Sequence, residues 1–155
     1  MMRIGDLMIK GVVLAHHDDT VESLIKMMAA KRVGGVPVVD AENKLTGFVS
    51  DGDILRALIP KHQAIYDAYS MISAVRLEVT HEGLSDLLEG KVRDVMTRKH
   101  LYSVRPDEDL DAALKQMGRA HIKKLPVVND HNEVIGIISR SDIIRHIVGQ
   151  ALYVK

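Results

Sequence analysis

Two pairs of polar residues have the types and spacing needed to contact a sugar or a phosphate at the start of a helix. Ser50 precedes Asp53 by three residues, and Ser139 precedes Asp142 by the same interval. A serine at the N-cap with an acid three residues later is typical of a capping box, in which hydroxyl and carboxylate accept backbone N–H groups. Taken alone, the pattern favours this structural role.

The same pairs also permit recognition of a ribose. Free N–H groups at a helix start bind anions, but an aspartate in the first turn would repel a phosphate beside it. The carboxylate can instead accept hydrogen bonds from a ribose 2′,3′-diol, as acidic residues do in dinucleotide folds. The phosphate then needs cations, and Lys123, Lys124 and Arg140 lie near the second pair. The alternative for these three residues is a solvated basic patch.

The pattern occurs twice because the chain contains an internal repeat. Residues 20–59 align without gaps to residues 109–148 at an offset of 89, with 11 of 40 positions identical. Ile4–Met8 also matches Val92–Met96, with one residue of slip. Similarity over this length predicts a duplicated fold.

Each repeat is predicted to form a β-α-β-β-α unit preceded by a short turn or helix. Polar turns separate short apolar runs, as in hairpins, and polar residues occupy the positions where helices would begin. The predicted segments of the first repeat are a strand at Val12–Leu14, a helix from Val21, strands at Val36–Val39 and Leu45–Val49, and a helix from Ser50 that Pro60 ends. Those of the second are a strand at Leu101–Val104, a helix from Leu110, strands at Leu125–Val128 and Val134–Ile138, and a helix from Ser139.

Residues 61–91 have no counterpart elsewhere in the chain, so they are predicted to be a helical insert between a first repeat at 1–60 and a second at 92–155. Apolar residues recur every three or four positions over Ile65–Val79, which indicates an amphipathic helix. Three leucines predict a second, short helix that ends near Gly90. The insert is either a linker packed on the repeats or an arm for dimerisation or partner binding.

The composition excludes several classes of function. The 155 residues are 46% hydrophobic and 27% charged, with zero formal net charge, so no membrane or nucleic-acid partner is expected. No apolar run approaches the roughly 20 residues of a membrane span, and the first ten lack the apolar core of a signal peptide. The absence of cysteine excludes disulfides and thiolate sites. A cytoplasmic location is the default expectation.

Catalysis and metal binding are not expected. His16 and His17 precede two acids, but consecutive strand residues point to opposite faces, so the two histidines should not share an ion. One of them is instead a candidate to line a cleft. The repeats predict no catalytic set of serine, histidine and acid. No required cofactor is therefore expected.

Four motifs of the second repeat, in their order, resemble the CBS domain, a family named for cystathionine β-synthase. They are Asp94-Val95-Met96-Thr97, Val104-x-Pro106-Asp107, Leu125-Pro126-Val127-Val128-Asn129 and Gly136-x-x-Ser139-x-x-Asp142. Two copies resemble a stand-alone CBS pair, or Bateman module. The resemblance implies an α/β (α+β) fold in which two β-α-β-β-α repeats pack through their sheets about a pseudo-twofold axis. It covers the chain apart from the insert.

The resemblance also implies a ligand, because CBS pairs typically bind adenine nucleotides or related adenosyl compounds in clefts between repeats. In the family the aspartate takes the ribose hydroxyls, and the backbone before the Leu-Pro-Val-Val strand borders the adenine. The second site implied in this way comprises Tyr102, Ser103, Lys123, Lys124, Leu125, Pro126, Ser139, Arg140 and Asp142. The first comprises Ala15, His16, Gly34, Gly35, Val36, Pro37, Ser50 and Asp53.

The two sites are expected to be unequal. Lys123 and Lys124 of the second align with Gly34 and Gly35 of the first, which permit close backbone approach but carry no charge. We therefore expect the second site to bind a phosphate-bearing ligand more tightly.

The function implied by the resemblance is a sensor of AMP, ADP, ATP or a related adenosyl ligand that transmits ligand state to an unidentified partner protein. The alternative is a protein-interaction or dimerisation module whose clefts are vestigial. CBS pairs commonly associate as flat dimers, so a homodimer is expected. Its candidate contact surfaces are Ile65–Val79 and the tail Ala151–Val154.

Overall fold

The protein consists of short helices that alternate with two small β-sheets. The computed structural model describes residues 2–59 and 81–153. Its helices are α1 (Ile4–Leu7), α2 (Val21–Lys31), α3 (Asp51–Leu58), α4 (His81–Glu89), α5 (Val92–Val95), α6 (Leu110–Ala120) and α7 (Arg140–Tyr153). The strands are β1 (Ala15–His16), β2 (Gly35–Val39), β3 (Leu45–Ser50), β4 (Lys124–Val128) and β5 (Val134–Ser139). The predicted mixed α/β class is confirmed.

The two predicted hairpins are present. Strands β1, β2 and β3 form one sheet in that order, and β4 pairs antiparallel with β5. All of β2 and all but the first residue of β4 are buried, whereas β3 and β5 alternate between buried and partly exposed residues. Each hairpin therefore places its return strand with one face toward a core, as period-two sequences require.

The first predicted strand of each repeat is wrong in its position. The strand forms at Ala15–His16 rather than at Val12–Leu14, and the 101–104 segment contributes only an isolated parallel bridge from Val104 to Val127. The side chains of Val12, Leu14 and Leu101 instead pack on a cluster of buried residues from both hairpins. Their apolar character reflects this packing and not membership of a sheet.

The chain divides into two compact units that do not follow the sequence repeats. Unit 1 comprises Met1–Leu14, Val39–Leu45 and Lys99–Lys155, and unit 2 comprises Ala15–Val38 and Thr46–Arg98. Helix α1, which leads into the first repeat, thus belongs to the unit that holds the second repeat. Helix α5, which leads into the second repeat, belongs to the unit that holds the first.

Unit 1 has a core of aliphatic residues from the second repeat and from α1. The lead-in segment is fixed by backbone hydrogen bonds from Ile4 N to Glu108 O (2.9 Å) and from Ile9 N to Ile137 O (2.8 Å). The buried members of this core are Ile4, Val104, Ala113, Met117, Leu125, Val127, Ile138 and Ile143.

Unit 2 repeats this arrangement with the first repeat and α5. Val92 N donates to Asp19 O (2.9 Å), and Thr97 N donates to Phe48 O (2.8 Å). Helix α4 packs against α2 and α3, which confirms the predicted short helix near Gly90. The buried apolar residues of unit 2 are Ala15, Val21, Leu24, Met28, Val36, Val38, Val49 and Val92. The predicted helix Ile65–Val79 lies outside the described residues, as does Val154.

The two hairpin turns exchange equivalent hydrogen bonds within unit 1. Asn43 and Asn132 both have positive φ, at 65° and 62°, a conformation that asparagine tolerates better than most residues. Asn43 Nδ2 donates to Val134 O (3.1 Å), and Asn132 Nδ2 donates to Leu45 O (3.3 Å). The identity of this asparagine in the two repeats therefore has a structural cause.

A methionine of each lead-in segment packs against the glycine of the Gly-x-x-Ser motif. A Cβ atom added to Gly136 would lie 2.5 Å from Met8 Sδ, and one added to Gly47 would lie 2.5 Å from Met96 Sδ. Both glycines are thus required by close contact with a thioether. This contact assigns the two methionines to packing.

Replacing Gly47 or Gly136 with alanine should lower the free energy of unfolding by about 1–3 kcal/mol, because the added methyl group overpacks the methionine contact. Gly118 is the matched control, since nothing lies within 4 Å of its added Cβ. Gly118→Ala, in the interior of α6, should instead stabilise the protein by about 0.5–1 kcal/mol. Urea denaturation measures both, and equal stability of the Gly136→Ala and Gly118→Ala variants would contradict the packing role.

Candidate functional site

The strand-to-helix junction of the second repeat forms a complete capping box at the start of α7. Ser139 N donates to Asp142 Oδ2 (3.3 Å), and Asp142 N donates to Ser139 Oγ (3.1 Å). The serine hydroxyl also donates to Asp142 Oδ2 (2.6 Å). The structural interpretation of the Ser-x-x-Asp motif is therefore confirmed. One carboxylate oxygen is committed to the cap, which leaves Oδ1 as the atom that faces other donors.

Cationic residues adjoin this junction. Arg140 N donates to Lys123 O (2.8 Å), which holds the backbone of the two residues together. Lys124 is paired with Ser139 across the β4–β5 ladder. The pairing of the strands thus brings the backbones of two lysines next to the Ser139–Arg140 junction at which α7 begins. An anionic group of a ligand placed at this helix start would meet the positive end of the helix dipole and cations.

The remaining predicted residues of the second site flank β4. Val104 N donates to Pro126 O (3.0 Å), which places the preceding Tyr102 and Ser103 beside this strand. Tyr102 is exposed, and Ser103 O accepts a hydrogen bond from Gln116 Nε2 (3.3 Å). Leu125 and Pro126 belong to β4 and are buried, so their side chains are not exposed to a ligand. All nine predicted residues belong to unit 1.

The first repeat forms the same capping box at α3. Ser50 N donates to Asp53 Oδ2 (2.9 Å), and Asp53 N lies 3.4 Å from Ser50 Oγ. All eight predicted residues of this site belong to unit 2. Ala15, Val36 and Pro37 are buried, whereas His16 is exposed. The side chain of His16 lies 4.0 Å from Asp19, and its backbone N–H donates to the same carboxylate (2.9 Å).

Gly35, one of the two glycines that replace the lysine pair in the first site, has a steric cause. A Cβ atom added to Gly35 would lie 2.9 Å from the ring of Phe48. In the second repeat the aligned residues are Lys124 and Ile137. The phenylalanine ring therefore occupies space that a side chain at Gly35 would need, whereas the repeat that carries the lysine has the smaller isoleucine at the aligned position.

The surroundings of the first site are acidic and apolar. A Cβ atom on Gly34 would lie 3.3 Å from the carboxylate of Asp51, which aligns with Arg140 of the second repeat. An apolar groove of about 360 Å³ adjoins these residues in unit 2. It is lined by Ile25, Met28, Ala29, Val33, Gly34, Asp51, Ile54 and Leu55. The local charge thus opposes binding of a phosphate, in contrast to the second site.

Each motif aspartate also contacts an arginine that the sequence reasoning left without a role. Arg56 Nη2 donates to Asp53 Oδ1 (2.8 Å), and Arg145 Nη2 donates to Asp142 Oδ1 (3.1 Å). The three-residue spacing between each aspartate and its arginine could have indicated this contact, because residues three apart on a helix are neighbours on one face. A third donor, Thr97 Oγ1, reaches Asp53 Oδ1 (3.2 Å) from a distant part of the chain, and no local sequence pattern indicates it.

Comparison with known proteins agrees with this architecture. The CBS domain family matches residues 4–60 and 92–149. This chain belongs to the CBS domain family, as a CBS pair. An uncharacterized protein of Methanocaldococcus jannaschii, MJ1426, is 31% identical over 157 residues that cover 96% of this chain and 92% of the relative. Two other curated relatives are enzymes, the inosine-5′-monophosphate dehydrogenase of Methanocaldococcus jannaschii and a homoserine O-acetyltransferase of Methanohalophilus mahii. This chain spans 23% and 25% of their lengths, so the CBS match assigns no catalytic activity by itself.

Two solved CBS-pair structures share the fold. The CBS pair of protein MJ0100, in complex with 5′-methylthioadenosine and S-adenosyl-L-methionine, has a TM-score of 0.71 at 23% identity. The match covers 97% of this chain and 98% of the MJ0100 chain. CBSX2 of Arabidopsis thaliana, in complex with AMP, has a TM-score of 0.73 at 23% identity. The match covers 97% of this chain and 99% of the CBSX2 chain.

The described residues also bear on membrane insertion. Within 2–59 and 81–153, no helix of this CBS pair combines the length and the apolar character that crossing a bilayer requires.

Proposed function

We propose that this CBS pair is a regulatory module that binds an adenine nucleotide or a related adenosyl ligand at the Asp142 site. The observation that carries the proposal is the clustering of Lys123, Lys124 and Arg140 around a capped helix start. The aspartate supplies acceptors for ribose hydroxyls, and the cations supply partners for phosphate. Neither group alone would distinguish a nucleotide from a sugar or an inorganic anion.

The ligands of the structural neighbours support the choice of an adenosyl compound. The solved CBS pairs of similar fold hold AMP in one case and 5′-methylthioadenosine with S-adenosyl-L-methionine in the other. The part common to these molecules is an adenine joined to a ribose that bears the 2′,3′-diol. The basic surroundings of Asp142 favour a phosphate-bearing member of this group, such as AMP, ADP or ATP.

Regulation would follow from the fact that unit 1 is built from two separate parts of the chain. This unit combines the second repeat with the lead-in segment of the first, and Ile9 of that segment pairs with Ile137 next to the site. A ligand can shift a conformational equilibrium only through different affinities for two states. A ligand held at the junction would favour the arrangement in which this lead-in segment is docked, and a partner protein would respond to that change.

Removing the cations should separate phosphate recognition from adenosine recognition. We expect Lys123→Ala/Lys124→Ala to weaken AMP binding at least about tenfold, because charge-assisted hydrogen bonds are lost. Adenosine binding should change by less than about twofold, because adenosine has no phosphate for the lysines to contact. Isothermal titration calorimetry measures both ligands.

The control for this experiment is Lys99→Ala/Lys115→Ala, which removes the same charge from exposed positions of unit 1. It should leave both affinities unchanged. If wild-type protein binds no adenosyl compound at millimolar concentration, the proposed function is wrong. If both double variants weaken AMP binding equally, the effect is one of net charge and not of a site.

A second candidate function, a dimerisation or interaction module, is favoured by the surface of α7. Ile144, Ile147, Val148 and Leu152 are exposed and are spaced so that they share one face of this helix. An exposed apolar stripe of this kind is a common feature of protein–protein contacts. We propose a second copy of the chain as its occupant, which is compatible with ligand binding at Asp142.

Replacing Ile144 and Ile147 with lysine should convert a dimer into a monomer, because charge would be buried at the contact. Size-exclusion chromatography with light scattering should give twice the 17.2 kDa chain mass for the wild type and the chain mass for the variant. Leu55→Lys, at an exposed position of α3, is the control and should remain dimeric. A monomeric wild-type protein would contradict this part of the proposal.

A further inference from the structure

Thr97 and Ile9 occupy equivalent backbone positions beside the two capped helices. Thr97 exchanges two backbone hydrogen bonds with Phe48, at 2.8 and 3.0 Å. Ile9 exchanges the same pair of bonds with Ile137, also at 2.8 and 3.0 Å. Phe48 and Ile137 each lie one residue after the motif glycine. The side chains of Thr97 and Ile9 therefore begin at equivalent positions beside the two capped helices. The threonine side chain has a hydroxyl, and the isoleucine side chain does not.

The hydroxyl of Thr97 completes the coordination of Asp53. An ionised carboxylate offers about four acceptor positions. Asp53 Oδ2 accepts from Ser50 N (2.9 Å) and Ser50 Oγ (3.2 Å). Asp53 Oδ1 accepts from Arg56 Nη2 (2.8 Å) and Thr97 Oγ1 (3.2 Å). All four positions are thus filled by groups of unit 2 itself.

Asp142 has one donor fewer among the described residues. Its Oδ2 accepts from the backbone and hydroxyl of Ser139, and its Oδ1 accepts from Arg145. The position that Thr97 fills in the other unit belongs here to Ile9, which cannot donate from its side chain. Asp142 Oδ1 therefore retains an acceptor position.

This difference decides whether a ribose diol can bind. A diol needs two acceptor positions on one carboxylate. The arginine side chains are exchangeable, because Arg56 and Arg145 are 70% and 74% exposed and surface ion pairs contribute little. Release of Arg145 leaves two positions on Asp142 Oδ1. Release of Arg56 leaves one on Asp53 Oδ1, because the short side chain of Thr97 is held beside it by the two backbone hydrogen bonds with Phe48.

We propose that Thr97 closes the Asp53 site to ribose, so that the chain binds one adenosyl ligand, at Asp142. Thr97 is on this account a specificity-determining residue that acts through the carboxylate of Asp53. The inference rests on the proposed function, since it assumes that the aspartates accept ribose hydroxyls. It goes further in assigning a stoichiometry and the residue that sets it.

The direct test is Thr97→Val, which removes the hydroxyl and keeps the shape of the side chain. Calorimetric titration with adenosine, which carries no phosphate for Asp51 to repel, should give one ligand per chain for the wild type and two for this variant. Thr97→Ser retains the hydroxyl and should keep a stoichiometry of one, which a general loosening of the structure would not reproduce. Adding Asp53→Asn to Thr97→Val should return the stoichiometry to one.

The mirror variant tests the same idea at the other unit. Ile9→Thr introduces a hydroxyl beside Asp142 and should weaken adenosine binding about tenfold, because one acceptor position is filled. Ile9→Val is the matched control without a hydroxyl and should bind as the wild type does. This measurement does not depend on the Asp53 site.

The outcomes separate the two proposals. Two ligands per wild-type chain, or one per Thr97→Val chain together with unchanged affinity in Ile9→Thr, would overturn the role of Thr97 and leave the proposed function standing. Absence of binding by the wild type and by every variant would overturn both.

Discussion

The structure depends on one interaction, the reciprocal hydrogen bonding of serine and aspartate at the junction between a return strand and the following helix. In α7, Ser139 and Asp142 satisfy backbone N–H groups that the helix start would otherwise leave without partners. The bond fixes the aspartate against the helix and commits one of its two oxygens. Structural and functional interpretations of the motif are therefore compatible, since the cap uses Oδ2 and a ligand needs only Oδ1. The exposure of Oδ1 to other donors then determines what each copy can bind.

Duplication has preserved this junction while its surroundings have diverged. The ring of Phe48 excludes a side chain at Gly35, whereas the aligned positions of the second copy hold Ile137 and Lys124. The segments that lead into the repeats extend this divergence, because each packs in the unit that holds the other repeat. Each candidate site thus combines a capped helix from one repeat with a lead-in segment from the other. Small substitutions in that segment, such as threonine in place of isoleucine, can then change a site without disturbing its fold.

The sequence predicted the features that local interactions determine. The hairpins followed from apolar runs bounded by polar turns, and the capping boxes followed from a three-residue spacing. The first strand was misplaced because Val12 and Leu14 are apolar for tertiary packing, which a short β-prone run does not distinguish from strand formation. The contacts of Thr97 with Asp53 and of Met8 with Gly136 join residues far apart in the chain. No local pattern contains that information, although the repeated methionine and asparagine marked positions with a common role.

The central claim is that Asp142 accepts the two hydroxyls of an adenosine ribose. Calorimetry of the wild-type protein with adenosine and with 2′,3′-dideoxyadenosine tests it most directly, because the two ligands differ only in those hydroxyls. The account predicts that the dideoxy compound binds at least about a hundredfold more weakly, since two hydrogen bonds to a charged acceptor are lost. Equal affinity for the two compounds would contradict it.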